Sequence, residues 1–318
     1  MDATVGDQPA QAMVFTPSPL LTITIEAVPD GSADTHLHAG GQGVWIARLM
    51  ARLGARVRLC GPFGGETGAV LRTLVEREGV ELRPSNATEN GNYVHDRRGG
   101  QREVIAATPP PALPRHQLDE LYNAALIEGL DSRTAVLAGP DGGNVLSADT
   151  YHRLTADLVT EGVTVIADLS GDFLLAAAEG GVSVLKVSHD DLIEGGQARS
   201  DSQEDLTSAM TDLAHRGAET VIVSRATDPT LMLSVGRLSA VRMPVFQGLD
   251  HRGAGDSMTA GVAAGLARGA DLRTAVRLGA AAGALNSTRH GLATGERDLI
   301  ERLADRVEIH LLDRKPAG

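Results

Sequence analysis

Apolar and polar residues alternate along the chain with two different periods, and together they predict an α/β fold. From residue 117 onward, short apolar runs of strand length follow longer stretches whose apolar residues recur every three or four positions. Helices are predicted over residues 117–126, 147–160, 172–178 and 203–216. Each precedes a predicted strand, at residues 134–137, 163–167, 183–187 and 220–223. This alternation predicts a mostly parallel sheet covered by helices on both faces.

The N-terminal third shows a different pattern. Residues 1–12 are polar and patternless and are predicted to be a disordered leader. Strands are predicted at 13–16, 21–28 and 57–61, and helices at 44–53 and 66–78. Residues 86–105 hold two short polar strands around the turn at 97–100, which predicts a hairpin. An alternating, half-exposed sheet separate from the main core needs a partner surface to be stable.

The C-terminal part begins with a predicted strand at 243–249. An Ala-rich helix at 254–268 follows, then helices at 272–287 and 299–306, and a loose tail at 313–318. The chain of 318 residues, 42% of them apolar, is long enough for one large core. One main domain is therefore expected over residues 13–312.

Composition excludes several classes of protein. The formal net charge of −12 argues against a nucleic-acid or anionic-membrane surface. A single cysteine, Cys60, excludes an intramolecular disulfide and a zinc-finger arrangement, and its place in an apolar strand favours core packing. The sequence shows neither an apolar run of membrane-spanning length nor a signal peptide. These features predict a soluble cytoplasmic protein.

The stretch D-H-R-G-A-G-D at residues 250–256 carries the strongest chemical signal. Gly253, Ala254 and Gly255 stand at a strand-to-helix turn, where backbone N–H groups converge on the positive end of a helix and can hold an anion. Asp256 would repel a bound phosphate unless it served as a general base for a substrate hydroxyl. Local chemistry leaves a second interpretation open, a tight turn followed by an acid favoured by the helix dipole.

Other polar residues follow the predicted strands, and ligands of parallel α/β sheets bind beyond the carboxyl ends of the strands. We therefore expect one site at this edge of the sheet. Its candidates are Gly139, residues 168–171, Ser188, Arg225 and Asp250.

Residues 250–256 resemble the D-T-x-G-A-G-D signature of the PfkB (ribokinase-like) carbohydrate kinases. The resemblance implies a ribokinase-like fold, with a central, mostly parallel sheet and a small β-sheet lid at about residues 14–39 and 86–106. It implies that the backbone of Gly253, Ala254 and Gly255 forms an anion hole and that Asp256 is the base. Asp250 also matches the signature, whereas His251 and Arg252 depart from it.

Residues 40–54 are similar to the family's G-G-K-G-x-N motif, which approaches the sugar hydroxyls. The resemblance assigns Gly40, Gly41 and Gln42 to the substrate, with Gln42 in place of the family lysine and Trp45 in place of its asparagine. Trp45 either stacks on a sugar or base, or packs in the core. Thr22 stands near the position of an aspartate that grips sugar hydroxyls in many members.

Residues 168–171 and 186–192 resemble D-T-S-G and K-P-N-x-x-E-L of the phosphofructokinase and tagatose-phosphate kinase branch. There the Asn and Glu hold the water shell of Mg²⁺. The resemblance implies a nucleotide-site role for Ser188 and a metal role, through water, for Asp191, with weakened metal binding because the side chains are shorter. A simpler interpretation of Asp190 and Asp191 is helix N-terminal charge.

Residues 224–230 stand where the family has a glycine-containing loop beside the nucleotide phosphates. Ala226 and Pro229 replace both glycines, so the loop cannot keep the same backbone shape. We hypothesise that the guanidinium groups of Arg225 and Arg252 replace some of the lost donors. The residues that the resemblance assigns to the nucleotide are Ser188, Ser224, Arg225, Asp250, Arg252 and Asn286.

The function expected from the resemblance is transfer of the ATP γ-phosphoryl group, with Mg²⁺, to a hydroxyl of a sugar-like molecule. The phosphosugar branch holds a substrate phosphate with cations, but this chain has Gln42 at one such position and no arginine near residues 90–92. Two alternatives stay open: a catalytically impaired ligand-binding protein on a kinase fold, and a nucleoside kinase. A homodimer through the β lid is also implied.

Overall fold

A computed structural model describes residues 11–142, 145–226, 228–243, 253–288 and 295–312. The tail at 313–318, residues 244–249 of the predicted strand, and the leader up to residue 10 lie outside the described residues. Gln11 and Ala12, which we assigned to the leader, begin the first strand instead.

Strands and helices follow one another along the described chain. The strands are β1 Gln11–Phe15, β2 Leu20–Ala27, β3 Ala33–Gly40, β4 Arg56–Phe63, β5 Glu81–Asn86, β6 Asn92–Asp96, β7 Glu103–Thr108, β8 Thr134–Ala138, β9 Thr164–Asp168, β10 Val184–Ser188, β11 Thr220–Ser224, β12 Thr230–Ser234, β13 Arg237–Arg242 and β14 Glu308–Leu311. The helices are α1 Gln42–Arg52, α2 Gly65–Arg77, α3 Arg115–Leu130, α4 Ala148–Thr160, α5 Gly171–Glu179, α6 His189–Glu194, α7 Gln203–Arg216, α8 Ala254–Ala267, α9 Leu272–Ser287 and α10 Arg297–Ala304. No helix among the described residues is long and apolar enough to cross a membrane.

Within the described chain the large sheet has ten strands in the order β14-β13-β12-β11-β10-β9-β8-β1-β4-β5. The seven strands from β11 to β5 are parallel, and β12, β13 and β14 add an antiparallel edge. The predicted α/β class with a mostly parallel sheet is thus confirmed.

Helices cover both faces of this sheet because the apolar side chains of its strands point alternately to opposite sides. In β1, Val14 packs into the cluster formed with α1, α2, α8, α9 and α10. Its neighbours Met13 and Phe15 pack into the second cluster, with α3, α4, α5 and α7. All three residues are fully buried, which explains why an apolar run without alternation forms a strand.

A second, smaller sheet has the order β3-β2-β6-β7 among the described strands; we refer to it as the small sheet. Asn90 anchors one end of the small sheet. Its buried side-chain nitrogen donates to the carbonyls of Pro19 and Pro62, and its side-chain oxygen accepts from the Gly64 N–H at 2.9 Å. This single side chain therefore joins the small sheet to the end of β4.

Two boundaries of the predicted lid are wrong. Residues 14 and 15 lie in β1, which pairs with β4 and β8 inside the large sheet, so the small sheet begins at Leu20. Asn86 ends β5 of the large sheet, and the hairpin of the small sheet runs from Asn92 to Thr108. The sequence pattern missed β3 because six of its eight residues are solvent-accessible and four of these six are polar, so pairing with β2 holds the strand rather than burial.

Candidate active site

The carboxyl ends of β10 and β11 open into a cavity of about 600 Å³. Ser188 and Ser224 end these two parallel strands in register, so their side chains meet at the cavity wall. Across from them lies the N-terminus of α8. Further lining residues are Lys186, His189, Arg225, Asp228, Ala254, Gly255, Met258, Gly283 and Ser287.

The backbone at the start of α8 depends on glycine at two positions. Gly253 caps the helix in the left-handed region with φ 71°, which side chains with a Cβ rarely adopt. Gly255 leaves room for an amine, because a Cβ there would lie 2.5 Å from Lys186 Nζ. The free N–H groups of the first turn and this ammonium therefore face the same space, which suits an anion.

Lys186 belongs to a buried polar cluster behind the turn. Its Nζ donates to both carboxylate oxygens of Asp168, at 3.1 and 3.2 Å, and Thr259 Oγ1 donates to Asp168 Oδ2 at 2.6 Å. Lys186 and Asp168 are only 6% and 5% exposed. Burial favours the neutral amine, but the carboxylates of Asp168 and Asp256 outweigh it and hold the pKa of Lys186 above its ordinary value. Lys186 therefore stays charged beside the helix terminus.

Asp256 lies next to this cluster in the first turn of α8. Burial first, and then the charge of Asp168, raise the pKa of Asp256 from 3.8 to about 7, although Lys186 and a hydrogen bond from Gln42 act in the opposite direction. A carboxylate with a pKa near neutrality can accept a proton from a hydroxyl and release it again. The environment of Asp256 thus matches that of a general base.

Gln42, which the resemblance assigns to the substrate, is hydrogen-bonded to Gly139 and Asp256 in the structure. Its Oε1 accepts the Gly139 N–H at 2.6 Å, which leaves the amide nitrogen to donate to the Asp256 carboxylate. Both polar ends of the side chain are therefore occupied. Gly40 and Gly41, predicted beside the substrate with Gln42, form the tight turn into α1; Gly41 has φ 95°, and a Cβ on Gly40 would meet Thr22 Oγ1 at 2.6 Å.

A smaller cavity of about 250 Å³ lies between the small sheet and α1. The sequence placed Thr22 and Trp45 at the substrate, and the structure brings both to this cavity. Leu20, Tyr93, His95, Arg102, Val104 and Asp141 complete its described wall. Asp256 directly follows Ala254 and Gly255, which line the larger cavity, and the charge of Asp141 in the wall of the smaller cavity is one of the lesser causes that raise its pKa.

Asp191, predicted to act on Mg²⁺ through water, closes a capping box at the start of α6. The Ser188 hydroxyl donates to the Asp191 carboxylate and accepts the Asp191 N–H at 3.0 Å. The described residues contain no group of three His, Cys, Asp or Glu side chains that could hold a metal by itself. The oxygen atoms of Ser188 and Asp191 fit an Mg²⁺ ion that is coordinated mainly by phosphates and water and has few direct protein ligands.

Four further residues were predicted at the nucleotide site, and the structure describes two of them. Arg225 lines the larger cavity, but its Nη2 is bonded to the Asp228 carboxylate at 2.9 Å and to the Asp201 carbonyl at 3.0 Å. Asn286 is 3% exposed and stands behind the cavity wall, where Gly283 and Ser287 are placed instead. Asp250 and Arg252 lie outside the described residues.

Sequence reasoning missed the roles of several residues. Asp168 and Lys186 belong to the motifs at residues 168–171 and 186–192. Only the 3.1 Å distance between Lys186 Nζ and Asp168 Oδ1 shows that they form a buried ion pair. No arginine stands near residues 90–92, but Arg102, from the turn before β7, reaches the smaller cavity, and its Nη2 contacts His95 Nε2 at 2.5 Å. Asp141, two residues beyond Gly139 at the end of β8, carried the recognisable signal of a polar residue following a parallel strand.

Comparison with known proteins gives a consistent picture. The family model described as pfkB family carbohydrate kinase matches residues 21–299. The chain is 27% identical to 1-phosphofructokinase of Bacillus subtilis, over 90% of this chain and 92% of that one. It is 32% identical to ATP-dependent 6-phosphofructokinase isozyme 2 of Mycobacterium tuberculosis, over 83% of this chain and 78% of that one. A crystal structure of phosphofructokinase-2 from Escherichia coli shares the fold, with a TM-score of 0.81, 24% identity, and coverage of 93% of this chain and 99% of that one.

Proposed function

The chain belongs to the pfkB family of carbohydrate kinases, and we propose that it transfers the γ-phosphoryl group of ATP to a hydroxyl of a sugar or sugar-like molecule. One observation carries the assignment of the site: Asp256, with a pKa of about 7, directly follows Ala254 and Gly255, which line a cavity of about 600 Å³ together with Lys186. A cavity of about 250 Å³ lies between the small sheet and α1. The larger cavity has the size of a nucleotide site, and the smaller one suits a monosaccharide.

In this proposal Asp256 takes the proton of the acceptor hydroxyl as that oxygen attacks the γ-phosphorus. The backbone N–H groups at Gly253, Ala254 and Gly255 donate to the oxygens of the transferring group, where negative charge is greatest. Lys186, held by Asp168, adds a fixed positive charge on the same side. Since such reactions depend on positioning and charge stabilisation, these groups suffice without a covalent intermediate.

Ser188, Ser224 and Arg225 are proposed to contact the nucleotide from the ends of β10 and β11, because all three line the larger cavity. Asp250 and Arg252 remain predictions from the motif at residues 250–256. Mg²⁺, when bound with ATP, would neutralise phosphate charge, and Asp191 is proposed to reach its water shell. The hydroxyl of Ser188 holds the Asp191 carboxylate in place for that role.

A homodimer through the small sheet also remains a proposal. All six residues of β7, its edge strand, are exposed, and Val104 and Ile105 are 55% and 51% exposed. An apolar, unpaired edge favours association with another chain. Light scattering after size-exclusion chromatography would test it: a monomer at micromolar concentration would contradict the proposal, and an Ile105→Lys variant of a dimer should dissociate.

The function is tested by ATP turnover with Mg²⁺ across sugars, phosphosugars and nucleosides, with Asp256→Asn measured in parallel. We expect acceptor-dependent ADP release that falls by about 10²–10⁴-fold in Asp256→Asn, the usual range for removing a general base. ATP affinity of that variant, measured by calorimetry, should be retained. If neither nucleotide binding nor turnover were found, the chain would instead be a ligand-binding protein on a kinase fold. Turnover with nucleosides alone would identify a nucleoside kinase.

A further inference from the structure

The charges around the smaller cavity differ from those that a phosphorylated acceptor requires. Its described wall holds one side chain of each charge, Arg102 from the small sheet and Asp141 from the loop after β8. A phosphate dianion is bound tightly where cations outnumber carboxylates, because each hydrogen bond is then assisted by charge. The described wall of the cavity has no such excess.

His95 does not supply the missing positive charge. A guanidinium group has only donors, so Arg102 Nη2 must donate to His95 Nε2 across their 2.5 Å contact. In that contact Nε2 of His95 is the acceptor, a role that the neutral imidazole can fill and the imidazolium cannot. The arginine is held by a neighbour within the wall and is the single positive group of the described lining.

Gln42 does not supply it either. Its Oε1 accepts the Gly139 N–H at 2.6 Å and its amide nitrogen is bonded to Asp256, so the side chain is neutral and engaged at both ends. Among the described residues of the smaller cavity, the carboxylate of Asp141 is thus balanced by one cation, Arg102.

A backbone hydrogen bond holds Asp141 in the wall of the smaller cavity, where its charge reaches any ligand bound there. Its N–H donates to Ser18 Oγ at 2.6 Å, which holds the loop against the end of β1. Burial raises the pKa of Tyr93, in β6 of the small sheet, and the charge of Asp141 adds to that rise. Asp141 is also the smallest of the causes that raise the pKa of Asp256, after burial and Asp168. A sphere of 250 Å³ is roughly 8 Å across, about one Debye length at physiological salt, so a ligand there cannot be screened from this carboxylate.

The remaining wall suits an uncharged sugar. Trp45, Tyr93, Leu20 and Val104 offer apolar and aromatic surface to the C–H face of a ring, and Thr22 offers a hydroxyl. The Asp141 carboxylate can accept hydrogen bonds from two neighbouring hydroxyls. These groups recognise a polyol without needing any charge on it.

We propose that the acceptor is a neutral sugar or polyol that carries no phosphate, and that Asp141 is the residue that excludes phosphorylated sugars. The proposal rests on the proposed function only in taking the smaller cavity as the acceptor site. It distinguishes this chain's substrate from the phosphosugars that the names of its relatives indicate.

The test compares matched pairs: fructose with fructose 6-phosphate, and ribose with ribose 5-phosphate. Dissociation constants are measured by calorimetry on the full chain in the presence of a non-hydrolysable ATP analogue. The variants are Asp141→Asn, which keeps the shape and the backbone bond to Ser18, and Asp212→Asn, an exposed control on α7. Thermal melts establish that both are folded.

We expect wild type to bind the neutral member of at least one pair about tenfold or more tightly than its phosphate, a difference that one unfavourable charge can supply. Asp141→Asn should lower the preference for the neutral sugar over its phosphate, measured as the ratio of their dissociation constants, by about tenfold. Asp212→Asn should leave this ratio unchanged. Tighter wild-type binding of the phosphorylated member, selectively lost in Arg102→Gln, would overturn the proposal. So would an unchanged ratio in Asp141→Asn, or failure of every neutral member to bind.

These outcomes are separate from those of the proposed kinase reaction. If ATP turnover were absent while neutral sugars bound with the expected preference, the reaction would be rejected and the acceptor assignment kept. If turnover occurred only with phosphorylated sugars, the reaction would be kept and the acceptor assignment rejected.

Discussion

Gln42 and Asp256 are hydrogen-bonded through the side-chain amide of one and the carboxylate of the other. The same amide accepts the Gly139 N–H at 2.6 Å, so the base at the start of α8 is tied to the end of β8. A lysine at position 42 could not make both contacts, since an ammonium group has no acceptor. The glutamine therefore orients the base, a different task from contacting a substrate.

Replacing Gln42 with leucine should shift the pH dependence of the reaction. The hydrogen bond from Gln42 lowers the pKa of Asp256, which lies at about 7. Without it the pKa rises and the acid limb of the kcat/KM profile moves to higher pH. We expect activity at pH 7 to fall about fivefold, because a shift of about one pKa unit lowers the ionised fraction of Asp256 from about one half to about one tenth, and to recover at pH 9. Gln203→Leu, at the exposed start of α7, is the control; an unmoved acid limb in Gln42→Leu would contradict the role.

Replacing Asp256 with asparagine should stabilise the protein at high pH. Because burial and Asp168 raise the pKa of Asp256 from 3.8 to about 7, the native state holds this proton more tightly than the unfolded state does. The stability linked to the proton is complete below pH 4 and is lost as the pH rises through 7. We expect Tm to rise by a few degrees in Asp256→Asn at pH 8 and to match wild type near pH 4.

Thermal melts across this pH range test the sign of the effect. Asp212→Asn, an exposed substitution, should show no comparable pH dependence. A lower Tm for Asp256→Asn at pH 8 would mean that the attraction between Asp256 and Lys186 outweighs the cost of burying the charge.

Gly255→Ala should impair the reaction more than the fold. The added Cβ would lie 2.5 Å from Lys186 Nζ, which the Asp168 carboxylate holds in place. Moving the ammonium away from the helix terminus removes a positioned charge, and we expect kcat to fall by about 10²-fold. Steady-state kinetics would be compared with Gly99→Ala, a turn position with open space around it. Equal kinetics for the two variants would show that Lys186 can move without cost.

Lys186→Met should destabilise the fold strongly, because it leaves the Asp168 carboxylate buried without its partner. We expect the free energy of unfolding to fall by roughly 3–5 kcal/mol, as for other broken buried pairs. The double variant Lys186→Met with Asp168→Asn should recover much of that loss. Urea titration measures all three proteins.

A matched surface pair provides the control. Arg216 Nη1 lies 2.7 Å from Glu179 Oε1, but both side chains are about half exposed. Arg216→Met should therefore lower the free energy of unfolding by less than about 1 kcal/mol. If Lys186→Met cost no more than this, the buried pair would have no stabilising role.

The sequence pattern predicted most of the large sheet because burial leaves a clear mark on it. Strands such as β8 and β11 are short apolar runs, and the helices between them repeat every three or four residues. Where burial does not hold a strand, the pattern failed. β3 is mostly polar and forms because its backbone pairs with β2.

The antiparallel edge of the large sheet was missed for another reason. β12 and β13 meet at a two-residue turn, Val235-Gly236, in which the non-glycine residue has φ 50° and is exposed. Valine gives no sign of such a turn, since β-branched residues rarely adopt positive φ. The neighbouring strands, rather than the turn residues, impose it.

By itself the sequence determined the class of fold, the place of the site at the carboxyl edge of the sheet, and the candidate base Asp256. Those features follow from periodicity, chain direction and local motifs, which are written in consecutive residues. Only the tertiary structure decided that Lys186 and Asp168 form a buried pair, that Gln42 holds the base, and that Arg102 and Asp141 share one small cavity. Each of these contacts joins residues from separate strands and loops, and their distances depend on how the whole sheet packs rather than on any one segment.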